Sequence, residues 1–311
     1  MSPKQPYAPV ALFVYNRLDH TKETVTALQS NRLASFSELY VFSDGPRNDE
    51  DIASVEKVRC YVKSISGFSN VNVIESAENK GLAASIVSGV SFLVNTYGKV
   101  IVLEDDIVTS PGFLQYMNDA LTLYENEPKV MHVAGYMYPI KKNRLPSTFF
   151  YPATSCWGWA TWKRAWEHYN PDAAFLYESI KKKGLLDVLN VNLIHDFEGQ
   201  LRANVEGTLN TWFIKWNASV ILCGGYSLYP KYSLVQNIGF DGSGEHCGPT
   251  SQFQCPRLAG SIEVKKQRTR LNKRAIVALK EFGCEPNSNN PFKQMKRSMK
   301  RFAKKMLKMK R

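Results

Sequence analysis

VIVLEDD (residues 100–106) decides the fold. Four apolar residues run directly into three acids. A short unbroken apolar run marks a strand buried on both faces, the state of strands in a parallel sheet. The acids then stand at its carboxyl end, where open α/β sheets place their ligand sites. Upstream, VALFVY (residues 10–15), LYVFS (39–43) and residues 71–75 read as three more buried strands. Helical spacing fills the gaps: Val25 and Leu28 behind a capping Asp19, Ile52, Val55, Val58 and Val62 over 49–65, and Ile86, Val90, Leu93 and Val94 over 81–96. This alternation predicts right-handed βαβ units, hence an α/β fold with a Rossmann-like, mostly parallel sheet flanked by helices.

Each strand is followed by residues suited to a ligand. Asn16-Arg17 follow the first, and Arg17 suits a phosphate or a base. Asp44-Gly45-Pro46 follow the second, where Asp44 is either a turn residue or an acceptor for a base. Asn79-Lys80-Gly81 open the third helix, whose N-terminus suits a phosphate. Glu104, Asp105 and Asp106 repel one another, and burying them unpaired is costly. A divalent cation with a diphosphate offsets that charge; an exposed acidic turn is the plainer reading. Neither GxGxxG nor GxxxxGK[ST] occurs, which disfavours a Rossmann dinucleotide site and a P-loop.

The second half is less regular. Residues 137–151 read as a loop, 177–204 as a helix and 226–229 as a short strand. Trp157, Trp159 and Trp162 fall within six residues, fitting a sugar-stacking wall or core aromatics. GFDGSGEHCG (residues 239–248) is a glycine-rich loop suited to closing over a ligand, with His246 as a metal or phosphate contact. From about residue 260 the apolar pattern fades.

The chain has 311 residues, 44% hydrophobic and 22% charged, which excludes a disordered chain and a disulfide-built miniprotein. Net charge is +12, but residues 286–311 hold ten bases and no acid, leaving 1–285 at +2. Within that tail Phe292, Met295, Met299, Phe302 and Met306 recur at helical steps. This predicts a basic amphipathic helix over 291–311, lying on an anionic membrane surface. The expected domains are 1–260 and a basic extension, 261–311. No apolar run approaches the length of a membrane span. With no signal-like start either, the expectation is a cytoplasmic protein, peripheral at the inner face of the cell membrane. The six cysteines form no CxxC pair and are expected as thiols.

The ordered set NR, DG, NKG and VLEDD resembles the GT-A nucleotide-sugar glycosyltransferases. VLEDDIVTSPGF (102–113) resembles the metal-binding stretch of N-acetylglucosaminyltransferase I. SCWGWATWKRAW (155–166), NTWFIKW (210–216) and SLVQNIGFDGSGEHC (233–247) are similar to bacterial glycosyltransferases of surface-polysaccharide synthesis. The resemblance spans roughly residues 8–250. It implies an enzyme that moves a hexosyl group from a nucleotide sugar, a UDP-sugar above all, to a glycan or lipid-linked acceptor, with inversion. Asp106, with His246 over the diphosphate, would hold Mn2+ or Mg2+. Glu104 and Asp105 would contact ribose or sugar, Asp44 would read uracil with Asn16 and Arg17 beside it, and Lys80 and Trp159 would complete the donor site. The acid that often precedes the tryptophan at 212 in such enzymes is replaced by Asn210 and Thr211, so Glu206 and Asp241 stand in as candidate bases. Two rivals are a nucleotidyltransferase acting on sugar phosphates, which lacks its basic glycine-rich loop here, and a nucleic-acid binder. The tail lacks the interleaved aromatics of the latter, and no nucleic-acid partner is expected.

Overall fold

Alternate residues of VALFV divide between two cores, because successive side chains of a strand point to opposite faces. Val10, Leu12 and Val14 of β1 (Val10–Val14) share one core with Val25 and Leu28 of α1 (Leu18–Gln29) and with Val58 and Val62 of α2 (Asp49–Val62). Ala11 and Phe13 share the other with Ile86, Val90 and Leu93 of α3 (Gly81–Tyr97). β2 (Glu38–Ser43), β3 (Asn70–Glu75) and β4 (Lys99–Glu104) complete a parallel half-sheet ordered β3-β2-β1-β4. The computed structural model describes residues 7–141, 145–191, 194–242 and 251–284. The predicted strands and helices of the first 104 residues are all present.

Past the acids, β5 (Ile107–Thr109) leads into α4 (Phe113–Leu123) and β6 (Val130–Ala134). The expected loop over 137–151 ends in a strand, β7 (Thr148–Tyr151). The tryptophan stretch forms β8 (Trp159–Trp162), which enters the sheet antiparallel to both β4 and β6. After the single turn α5 (Lys163–Trp166), the helix expected over 177–204 is three helices: α6 (Ala173–Lys182), α7 (Leu186–Leu189) and α8 (Phe197–Val205). Gly184, at a φ of 65°, turns the chain after α6, and the Asp196 side chain caps α8 by accepting from the Gly199 N–H at 2.8 Å. α9 (Trp212–Leu222), β9 (Tyr226–Pro230) and β10 (Val235–Asn237) follow. The main sheet reads β3-β2-β1-β4-β8-β6-β9-β7, and β10 pairs antiparallel with β5 in a small second sheet.

Apolar spacing does not end at residue 260. Ala275, Leu279 and Phe282 of α10 (Lys273–Gly283) are buried in the larger core, and the Asn272 N–H donates to the Phe150 carbonyl on β7 at 3.0 Å. No disulfide forms among the described cysteines. No helix of the described residues is long and apolar enough to cross a membrane.

Candidate active site

The register of the parallel strands aligns their ends. Val14 lies opposite Ser43 and Phe13 opposite Glu104, so the residues after β1, β2 and β4 emerge side by side. They line one cleft of about 930 Å3, with Asn16, Arg17, Asp44, Glu104, Asp105 and Asp106 on one side. That volume lies at the upper end of the range for small-molecule sites.

Arg17 bridges the acids. Its Nη2 pairs with Asp105 Oδ1 and, at 2.9 Å, with Asp106 Oδ2, while Nε donates to Asp105 Oδ2 at 3.3 Å. Burial works against the guanidinium's charge, but the charge and hydrogen bonds of Asp105 and Asp106 outweigh it and raise the Arg17 pKa. Burial, then the charges of Asp106 and Asp105, push Glu104 up to about 8. Burial likewise raises Asp105, to about 6, against the pull of Arg17. Asp106 Oδ1 is buried and meets no hydrogen-bond donor. An orphaned anionic oxygen in a cleft fits a cation ligand, since leaving it bare is costly. The backbone closes against the same carboxylate: a Cβ on Gly239 would lie 2.3 Å from Asp106 Oδ2. Among the described residues no three His, Cys, Asp or Glu side chains gather as a ready metal cage.

Asp44 is held in place by backbone. Oδ1 accepts from the Lys80 N–H at 2.9 Å and the Gly45 N–H at 3.0 Å, and Oδ2 accepts from the Gly81 N–H at 2.9 Å. It caps α3 from a distance, satisfying N–H groups that the helix cannot. Gly45 is required beside it, because a Cβ there would lie 2.6 Å from the Glu78 carbonyl carbon. On the rim, Asp51 accepts from Tyr15 Oη at 2.7 Å and from Asn16 Nδ2 at 3.1 Å.

The cleft also has an aromatic lining, made of Tyr136, Tyr138, Trp157, His195, Phe197 and Phe213. Tyr136 and Trp157 meet at 4.4 Å between ring centroids, and His195 stacks on Phe197 at 5.3 Å. His195 Nε2 lies 3.0 Å from Tyr138 Oη, and burial lowers its pKa to about 4, so the imidazole is neutral at physiological pH. Gln200, Asn210 and Thr211 add polar groups.

Several expected residues sit elsewhere. Trp159 is fully buried, stacked on Trp212 at 5.1 Å and on His132 at 5.3 Å, and has no face open to a sugar. It belongs to the core because β8 is an interior strand, and Trp157, two residues earlier, lines the cleft instead. Lys80 contributes its backbone N–H, while the residue lines a separate shallow hollow. Glu206 lies outside the cleft lining, paired with Arg202 at 4.0 Å on the surface. Asp241 is half-exposed and pairs with His20 at 3.2 Å, two residues beyond the cleft-lining Gly239. His246 lies outside the described residues, as does the predicted helix over 291–311. Sequence reading missed His195 and the Tyr15–Asp51 pair; His195 lies in a break between helices, with no motif around it.

The chain is similar in structure to the mannosyltransferase PcManGT from Pyrobaculum calidifontis, solved with GDP-Man and Mn2+, at 14% identity over 71% of this chain and 76% of that one, with a TM-score of 0.35. It is similar to a UDP-glucose pyrophosphorylase solved with UDP-glucose, at 8% identity over 73% and 91%, with a TM-score of 0.36. Likeness to S. aureus TarS covers 47% of this chain and 25% of that one, at 16% identity and a TM-score of 0.29. No curated protein sequence matches. The model of the family described as "Glycosyl transferase family 2" matches residues 10–176, more than half of the chain and all of the parallel half-sheet with its acid cluster. The chain is a GT-A fold glycosyltransferase and belongs to glycosyl transferase family 2.

Proposed function

We propose that this glycosyltransferase moves a hexosyl group from a UDP-sugar to a glycan or lipid-linked acceptor, in the synthesis of a bacterial surface polysaccharide. The observation that carries the donor side is the bare, buried Asp106 Oδ1 at the end of β4, beside the guanidinium of Arg17. Asp106 is the proposed protein ligand for Mn2+ or Mg2+. When bound there, the ion supplies Lewis-acid stabilisation to the departing nucleoside diphosphate. Arg17 adds a fixed positive charge on the same side. The Tyr15 ring and Asp44 flank the nucleotide end, with Asp44 reading uracil through the one lone pair of Oδ2 that its backbone contacts leave. Glu104 and Asp105 contact ribose or donor sugar.

The acceptor takes the aromatic lining of the cleft, where flat rings suit the apolar face of a sugar. Its attacking hydroxyl loses a proton as the anomeric carbon–oxygen bond breaks, with inversion. His195 is the proposed proton acceptor, because it is neutral, belongs to this lining and is braced by Tyr138. A base whose conjugate acid lies near 4 has the strength of a carboxylate. Asp241 is the alternative, since it adjoins the loop at Gly239. The basic stretch 291–311 is proposed to fold as an amphipathic helix on the inner face of the cell membrane and hold the enzyme there, where each engaged base contributes about 1 kcal/mol.

The test is a thermal-shift screen of UDP-, GDP-, CMP- and dTDP-sugars with and without Mn2+. Stabilisation by a UDP-sugar that requires the metal supports the reading. Stabilisation by another nucleotide series, or none, contradicts it.

A further inference from the structure

Arg17 is the N-cap residue of α1, yet its side chain makes no cap bond. Its backbone does the anchoring: the carbonyl accepts from the Thr21 N–H at 3.0 Å and from Thr21 Oγ1 at 2.8 Å. The guanidinium is therefore free to reach across to β4, where it spans both carboxylates and covers Asp106 Oδ2. Gly239 boxes the pair in, since a Cβ there would lie 2.3 Å from Asp106 Oδ2 and 3.2 Å from Arg17 Nη1.

We propose that Arg17 is a built-in counter-cation, which occupies the acid cluster until a nucleoside diphosphate arrives with its divalent cation and then transfers to the phosphates. This inference rests on the reading of Asp106 as a metal ligand. A metal ion arriving alone meets a carboxylate already neutralised, with a like charge within hydrogen-bond distance of it, and like charges at such separations repel strongly. A diphosphate removes the obstacle. Its oxygens match the planar guanidinium fork as well as a carboxylate does, so Arg17 can exchange one anion for the other without being left bare. Asp106 is then released on both oxygens. Metal and nucleotide must accordingly bind with positive coupling, and the coupling is reciprocal: each raises the affinity for the other by the same factor. The residue thus makes cation binding conditional on the donor.

The experiment measures free Mn2+ by electron paramagnetic resonance during titration of the full chain, with and without UDP. The proteins are wild type, Arg17→Met and Arg17→Lys, with circular dichroism confirming the fold. In wild type, UDP should tighten Mn2+ binding by about tenfold or more. Arg17→Met should bind Mn2+ alone about tenfold more tightly than wild type, and UDP should then add less than about threefold. Arg17→Lys, which keeps the charge but loses the fork, should fall between them. If Arg17→Met binds Mn2+ alone no better than wild type, or keeps the full UDP effect, the proposal is overturned while the metal site stands. If Arg17→Met does not fold, Arg17→Lys decides: unchanged Mn2+ affinity overturns the proposal. If wild type binds no Mn2+ even with UDP, both the metal reading of Asp106 and this inference fail.

Discussion

Replacing Asp44 separates its structural work from its proposed contact with the base. In Asp44→Ala, the Lys80 and Gly81 N–H groups at the start of α3 lose their acceptor, at 2.9 Å each in the native protein. Hydrogen bonds to a charged group contribute about 1.5–3 kcal/mol apiece when buried. Lys80 is exposed and Gly81 half-buried, so water takes over much of the loss, and the helix-cap value of about 1–2 kcal/mol is the better guide. The expected cost is about 2 kcal/mol. For a chain of 311 residues the unfolding entropy makes this a Tm drop of about 3 °C. Asp44→Asn keeps one acceptor oxygen and should lose about half as much. Urea melts give the free energies. Isothermal titration at 15 °C, where all three proteins are folded, gives the binding. Asp44→Asn should bind UDP about tenfold more weakly with Mn2+ present, yet bind inorganic pyrophosphate as wild type does. An Asp44→Ala protein that melts like wild type would refute the capping role. Equal losses for UDP and pyrophosphate would refute the reading of the base.

Three further outcomes follow from the same geometry. His195→Gln should lower kcat by about 10²–10⁴ while leaving UDP affinity unchanged, and Glu206→Gln should do neither; full activity in His195→Gln with loss in Asp241→Asn would move the base to Asp241. His132 is fully buried, and burial lowers its pKa to about 3 from an ordinary value of 6.5. The unfolded chain therefore takes up this proton first as the pH falls, so the stability His132 contributes is complete above pH 6.5 and is lost progressively towards pH 3, with about 2 kcal/mol gone by pH 5. Its ring resonances in NMR should not titrate between pH 8 and 5, and a midpoint near 6.5 would contradict the burial argument. Co-sedimentation of the full chain with vesicles should rise with anionic lipid content and fall with salt, and should be lost when the ten bases of residues 286–311 are changed to Gln; equal sedimentation by both proteins would remove the membrane role from the tail.

The parallel half of the fold was legible because each of its signals had one reading. An apolar run such as VALFV, ended by a polar residue and followed by helical spacing, fits little else than a buried strand in a βαβ unit. The acid cluster had a second reading, an exposed acidic turn, but the apolar run directly before it placed the three carboxylates at a buried strand end, where they need a partner. Elsewhere one pattern served two structures. Trp159 and Trp162 satisfy a sugar-stacking wall and an interior strand equally, and only the insertion of β8 between β4 and β6 separates the two. Trp157 lies just outside that strand and faces the cleft. The three helices after residue 173 share one helical period, and Gly184 and Asp196 were the breaks to weigh. The core contacts of α10 rest on Ala275, Leu279 and Phe282, a spacing present in the sequence but masked by the surrounding bases. That both oxygens of Asp44 cap α3 could not be read from DGP, because the helix they cap begins 37 residues later in the chain.

The central claim is that Asp106 holds the cation that binds the donor diphosphate. The most direct measurement is isothermal titration of UDP into wild type and Asp106→Asn, each with Mn2+ and with EDTA. Asp106→Asn keeps an oxygen that can accept from Arg17, which also retains Asp105 as its partner, and relieves one of three crowded acids, so the variant should fold. The account predicts UDP binding that needs Mn2+ in wild type and is lost in Asp106→Asn. Equal, Mn2+-dependent binding in both proteins would contradict it.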